Sequence, residues 1–252
     1  MKWEQLPIRA LYLTVATSIF SCLTGCDNSL SRTDGGPELR FITSKPPALT
    51  VKSAKSILPL APGTTWHMAG ITITTKKPII KQHVQKIDVQ VANTLPEGMP
   101  KDGHMLIIYR DGKVWRREVY RSTESALELI ATAEEDRPFM TYEPAIPVAK
   151  APFSEGASAP WIGRFLFQGK SYPATAFSRI SAIESISTGL GKRQSLRIDT
   201  LITVNMDDTP LKFPTVRWLA PSIGFTRRAF TEQGDGIYAE LQSLQQPGNQ
   251  QG

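Results

Sequence analysis

Two cysteines, three histidines and one basic, aromatic-rich segment are the parts of this chain whose residue types could do chemistry. Cys22 and Cys26 both lie near the amino terminus, and no thiol follows Cys26. A disulfide framework, a thiolate metal site and a cysteine nucleophile are therefore excluded from the rest of the chain. His67, His83 and His104 stand in separate segments without metal-ligand spacing. Each reads as structural, and no metal or other cofactor is expected. No Gly-x-Ser-x-Gly elbow occurs. Gly189-Leu190-Gly191-Lys192-Arg193 mimics part of a phosphate loop, but Ile186 occupies the place of the first Gly and Arg193 that of the closing Ser or Thr. It reads as a hairpin turn. Asp207-Asp208 reads as turn chemistry rather than a cation site. What is left is Arg110, Lys113, Arg116, Arg117 and Arg121 gathered around Trp115 and Tyr120. Alternation places Lys113, Arg117 and Arg121 on one face beside Trp115. Together with Arg110 they suit anionic headgroups or an acidic partner. The plainer reading is a solvated hairpin whose long side chains cover an aromatic. None of these groups forms a recognisable catalytic constellation, so no enzymatic activity is expected.

Cys26 has a different context. Lys2 and Arg9 give a positive start, partly offset by Glu4, and no charged residue occurs from Ala10 to Cys26. That is the profile of a secretory signal. The run is short, and too rich in Thr and Ser for a membrane span of about 20 apolar residues. It closes on Leu23-Thr24-Gly25-Cys26, which resembles the lipobox of bacterial lipoproteins. The resemblance implies that a signal helix over residues 1–25 is removed and that the thiol and new amine of Cys26 are acylated. Two or more chains hold a protein stably at a membrane where one does not. The competing readings are an ordinary signal peptide with a chance Cys, or an uncleaved anchor. Asp27 resembles the inner-membrane retention signal of enterobacterial lipoproteins, a rule other bacteria do not all obey. The expected place is the cell envelope, lipid-anchored and facing the periplasm, with inner or outer membrane left open.

The chain has 252 residues, with Lys+Arg 29 against Asp+Glu 23. Removing residues 1–25 takes away Lys2, Arg9 and Glu4, which leaves a formal charge of +5. Outside the cytosol, so mild a basic balance favours lipid headgroups or envelope polymers over nucleic acid. Residues 26–56 are rich in Asn, Ser, Gly and Pro and lack apolar periodicity, so they read as a flexible tether. Leu39-Arg40-Phe41-Ile42 could dock as an added strand.

Residues 57–244 read as one all-β domain. Ile71 and Ile73 alternate with Thr72 and Thr74, as do Ile87, Val89 and Val91 with polar residues. Met105–Arg110, Asp111-Gly112 and Lys113–Tyr120 form a hairpin with a type I′ turn. Strands follow at 126–130, from Trp161 to Phe167, at 196–204 and around Val216 and Trp218. The segment 174–187, with Ile180, Ile183 and Ile186 three apart, reads as a bulged strand. Residues 237–241 close the sheet or form a short helix, and 245–252 read as a disordered tail. Many short strands predict a mainly β, antiparallel, strongly curved sheet, as a half-barrel, a barrel or a sandwich.

Pro59-Leu60-Ala61-Pro62-Gly63-Thr64-Thr65-Trp66 resembles Pro152 to Trp161: Pro, an apolar residue, Gly, small residues, Trp, then a strand. Either the domain is a duplication with halves 57–146 and 147–244, or common residues coincide. The chain also resembles a broad family of uncharacterised bacterial envelope proteins. Its members open with Pro-Leu-x-Pro-Gly-x-x-Trp, here Pro59 to Trp66. They end with an aromatic, an Ala-Pro turn and a Gly, here Trp218-Leu219-Ala220-Pro221-Ser222-Ile223-Gly224-Phe225. Between them lie an Asp-Gly hairpin and a second Gly and Trp segment. Ser222-Ile223 departs from the Gly-Val of many members. The resemblance covers about residues 57–230, implies an all-β domain and carries over no catalytic residue.

Two functions fit. One is a membrane-anchored, non-enzymatic binding or scaffold module of the envelope, with an envelope protein or anionic lipid as partner. The other is a lipid or lipoprotein carrier holding acyl chains on its curved sheet.

Overall fold

A computed structural model describes residues 49–74, 81–206, 209–232 and 235–248. Cys26, the signal segment, most of the tether, Asp207-Asp208 and residues 249–252 lie outside the described residues. The described chain is antiparallel β throughout, as expected, apart from one short helix, α1 (Ala54–Ile57). The strands are β1 (Thr65–Thr74), β2 (Lys81–Val91), β3 (His104–Arg110), β4 (Lys113–Ser122), β5 (Ala126–Glu134) and β6 (Met140–Lys150). Then come β7 (Ser158–Phe167), β8 (Lys170–Thr188), β9 (Gly191–Met206), β10 (Thr209–Ala220), β11 (Gly224–Glu232) and β12 (Asp235–Gln245). Each pairs with its sequence neighbours, and β1 pairs with β12 from Thr65↔Gln245 to Ile73↔Gly236, so the sheet closes into a barrel. Of the sandwich, the barrel and the curved half-barrel that the strand spacing leaves open, the structure is the closed barrel. Closure depends on two strands at opposite ends of the domain, a pairing that local periodicity does not encode. It removes both sheet edges and their unpaired amides.

Turn chemistry sets the local geometry. Asp111 (φ 50°) and Gly112 (φ 78°) are both left-handed, as a type I′ turn requires. In β8 the register shifts between Ile180 and Ala182, and this bulge accounts for the step from Ile180 to Ile183. The Pro-Gly echo is reproduced bond for bond. Thr64 N donates to Ala61 O and Ala157 N to Ser154 O, both at 3.1 Å. Gly63 (φ 85°) exchanges a reciprocal backbone pair with Val91 through Thr64 O; Gly156 (φ 88°) does so with Ile180 through Ala157 O. The tryptophans are offset within that frame. Trp66 is three residues beyond its Gly and Trp161 five beyond, so both point inward with Trp161 one pleat further along.

Most inward positions are apolar: Trp66, Met68, Ile87, Val89, Leu106, Ile108, Leu196, Ile198 and Leu241 are all buried in one contiguous core. Outward positions carry ion pairs such as Lys86–Asp88 (3.1 Å), Arg121–Glu128 (2.7 Å) and Arg227–Glu240 (2.7 Å). This is the reverse of a membrane-spanning barrel, whose apolar band faces lipid. Among the described residues no helix is long and apolar enough to cross a membrane.

One end of the barrel is plugged by its own chain. Ser53 caps α1 by accepting from Lys55 N at 3.1 Å. Ala54, Ile57 and Leu58 are buried, Leu49 and Val51 pack on the core, Ala54 N donates to Glu124 O, and Ser222 N donates to Ser56 O at 2.7 Å. Residues 49–56, read from sequence as the end of the tether, therefore belong to the packed body. Apolar residues at 49, 51, 54 and 57 bury too little surface to signal a periodic element, yet enough to cap a core. At the other terminus Gln245 pairs with Thr65, and Gln246 donates to Ser222 O at 3.4 Å. Gln245 and Gln246, read from sequence as the start of a disordered tail, thus belong to the packed body.

Candidate functional site

The densest polar chemistry lies inside the barrel. Arg116, Glu118 and Tyr120 share the inward face of β4, opposite β10 and β11 across the ring. Glu118 and Arg228 are each 1% exposed. Arg228 Nη2 donates to both carboxylate oxygens of Glu118, at 2.9 and 2.8 Å. Arg116 Nε donates to Glu118 Oε1 at 2.9 Å and Tyr120 Oη to Oε2 at 3.0 Å. Arg217 Nε, from β10, donates to Tyr120 Oη at 3.0 Å, and its Nη1 donates to Thr200 Oγ1 at 3.4 Å. The Arg228 guanidinium lies 4.5 Å over the Phe225 ring, and its Nε and Nη1 meet no acceptor among the described residues. Side chains from facing walls thus touch at the centre.

Burial alone would push the Glu118 carboxyl up. The guanidiniums of Arg228, Arg116 and Arg217 outweigh it and hold the group at about 2. Burial, aided by the Glu118 charge and opposed by Arg217, pushes the Tyr120 phenol up to about 12. At neutral pH the acid is always ionised and the phenol always protonated. The cluster is suited to tying two walls together, not to exchanging protons.

The basic hairpin is divided. A register shift between Ile108 and Tyr109 leaves Trp115 as the extra residue of β4. Trp115 is 5% exposed, its ring 4.7 Å from that of Phe230, with Arg110 over it at 4.6 Å. The bulge therefore takes Trp115 off the face where simple alternation put it. Arg117 donates to Arg137 O at 2.7 Å and covers Phe139. Arg121 is bound to Glu128 at 2.7 Å and lies 3.7 Å from Asp102. Lys113 is exposed at the turn. The five do not form one face.

The histidines are separate. His67 Nδ1 lies 2.7 Å from Asp88 Oδ1, His83 is exposed, and burial lowers the His104 pKa despite Asp102 nearby. Among the described residues no three metal-ligating side chains converge. A groove of about 360 Å³ is lined by residues of β1 and β2, His67 to Ala69 and Val84 to Lys86, with Asp111 and Gln242.

The interior tie was missed from sequence, although Arg116, Glu118 and Tyr120 share one parity in a strand of known phase. That parity was a usable signal. Their partners, about a hundred residues away, left none.

The two sequence motifs that open and close the domain meet directly. Trp66 Nε1 donates to Ile223 O at 2.6 Å, and its ring stands edge-on to Phe225 at 5.4 Å. Gly224 (φ 82°) lies against the indole, where an added Cβ would come within 2.8 Å of Trp66 Cζ2. Ser222 occupies a left-handed position (φ 64°) that a Gly would take without strain. Trp161 Nε1 donates to Pro144 O at 3.0 Å instead.

No protein-family model matches the chain, and no curated protein does. Solved structures with a similar fold include a Bacteroides fragilis chain described as exported and YmcC-like. It is 13% identical with TM-score 0.45, covering 75% of this chain and 99% of that one. A chain described as a lipoprotein from Parabacteroides distasonis is 12% identical, TM-score 0.37, covering 75% and 98%. The hypothetical lipoprotein YmcC of Escherichia coli is 9% identical, TM-score 0.38, covering 76% and 89%.

Proposed function

We propose that this chain is a lipid-anchored protein of the bacterial envelope whose barrel works as a non-enzymatic binding or scaffold module. The anchor is Cys26, the barrel faces the periplasm, and contact with partners runs over its outer surface. The observation that carries the reading is the filled interior. Glu118 and Tyr120 of one wall bond directly to Arg228 and Arg217 of the other, and α1 closes one end. Eight strands already enclose just enough room for side chains, so a twelve-strand ring with touching walls has spent its extra room. An acyl carrier needs an open apolar cavity of several hundred cubic ångströms. The packed core speaks against that alternative. It also leaves the buried Glu118 carboxylate fully engaged at neutral pH. Protein purified from membranes and extracted with organic solvent should yield no lipid beyond the covalent anchor. Recovery of one non-covalent lipid per chain would favour the carrier.

A further inference from the structure

Apolar side chains are exposed on two parts of the outer wall, Val84 (74%) with Ile73 (38%) on β2 and β1, and a longer strip on β7 to β9. Ile162, Phe177 and Leu201 are 83%, 49% and 40% exposed. They are not scattered. Backbone register aligns Pro160↔Phe177, Phe177↔Leu201 and Leu201↔Pro214, a straight row across β7, β8, β9 and β10. The next row is Ile162↔Thr175, Thr175↔Thr203 and Thr203↔Lys212. On the other side runs Ser158↔Arg179, Arg179↔Asp199 and Asp199↔Val216. The inward residues between them, Ala176, Ile202 and Val204, are buried, so the rows point outward. Arg164, Arg179 and Lys212 are exposed around the apolar strip, and Arg197 at 3.1 Å holds the carboxylate in these rows, Asp199.

We propose that this face rests on an anionic membrane surface, with Ile162, Phe177 and Leu201 entering the headgroup boundary while Arg164, Arg179 and Lys212 meet lipid phosphates. Exposed aliphatic and aromatic side chains flanked by cations are the composition that binds such interfaces, where area and charge both contribute. A contiguous exposed apolar strip on a soluble wall calls for a cover. Charge complementarity selects the lipid surface over an uncharged or basic partner. Proximity follows from the anchored reading, on which the inference rests: residues 27–48 reach at most about 80 Å when fully extended. The barrel can therefore lie back on the bilayer that holds it. The contact is distinct from the basic hairpin, whose Arg117 and Arg121 are engaged within the chain.

The test bypasses acylation. The mature chain, with Cys26→Ser and a hexahistidine tag in place of the lipid, is held on chelator-lipid vesicles. Thr175→Cys or Lys86→Cys then supplies the single thiol for an environment-sensitive fluorophore. Thr175 lies within the face and Lys86 on the far wall. On vesicles of phosphatidylcholine and phosphatidylglycerol, a brominated lipid should quench the label at 175 roughly threefold more than at 86. The difference should vanish in an Ile162→Ser, Phe177→Ser background and on pure phosphatidylcholine. Equal quenching at the two sites, stronger quenching at 86, or persistence on pure phosphatidylcholine overturns the proposal. Protein-dependent self-quenching at 175 without vesicles also overturns it, in favour of a second copy. None of these outcomes bears on whether Cys26 is acylated.

Discussion

At the scale of single residues, the barrel depends on a buried charge whose neutralisation is incomplete without every partner. Replacing Glu118 by Gln leaves Arg228 and Arg116 without their counter-charge, and loss of one member of a buried pair costs about 3–5 kcal/mol. Urea unfolding at neutral pH should show a loss of unfolding free energy of that size. The acid dependence has a fixed sign. The folded Glu118 carboxyl titrates at about 2, below its ordinary 4.5, so its stabilisation is present above 4.5 and is lost as pH falls toward 2. Stability measured across that window should fall steeply in the natural chain and less so in Glu118→Gln. Trp66→Ala and Trp161→Ala should each cost about 3–5 kcal/mol, since both rings are buried and hydrogen-bonded. The tryptophans were legible as core anchors because they follow a Gly turn at a strand start. The Glu118 tie was not, because its partners come from strands far off in sequence.

At the scale of elements, the hairpins were legible and the closure was not. Asp111-Gly112, Gln168-Gly169 and Ser187 to Gly191 mark turns by residue type alone, and alternation fixes the strands between them. Register shifts are different. The bulge in β8 leaves a trace in the three-residue spacing of its isoleucines, but the one in β4 leaves none, so alternation alone puts Trp115 on the wrong face. The plug at 49–56 is not legible in the sequence because a four-residue helix has no period to detect. The turn from Ala220 to Phe225 shows why a motif can be structural. Gly224 is left-handed and sits under the Trp66 ring, so Gly224→Ala meets both backbone strain and a clash. A loss of about 1–3 kcal/mol is expected in thermal or chemical unfolding. A neutral result would mean that the indole and the turn are not coupled.

At the scale of the whole molecule, the proposal joins a lipid-anchored terminus to a barrel whose facing walls touch through Glu118–Arg228 and Tyr120–Arg217. The amino-terminal reading rests on charge pattern and a four-residue motif, and the barrel reading on packing, so the two can fail separately. Cys26→Ser should leave an unprocessed precursor without lipid label in cells; cleavage at the same bond with unchanged membrane fractionation would remove the anchor. The most direct single measurement is the mass of the protein extracted from membranes, taken first under native and then under denaturing conditions. The denatured mass should equal the chain from Cys26 onward plus covalently bound acyl groups, and the native mass should equal the denatured one. A chain beginning elsewhere without acyl groups, or a native mass heavier by one lipid that is lost on denaturation, would contradict the account.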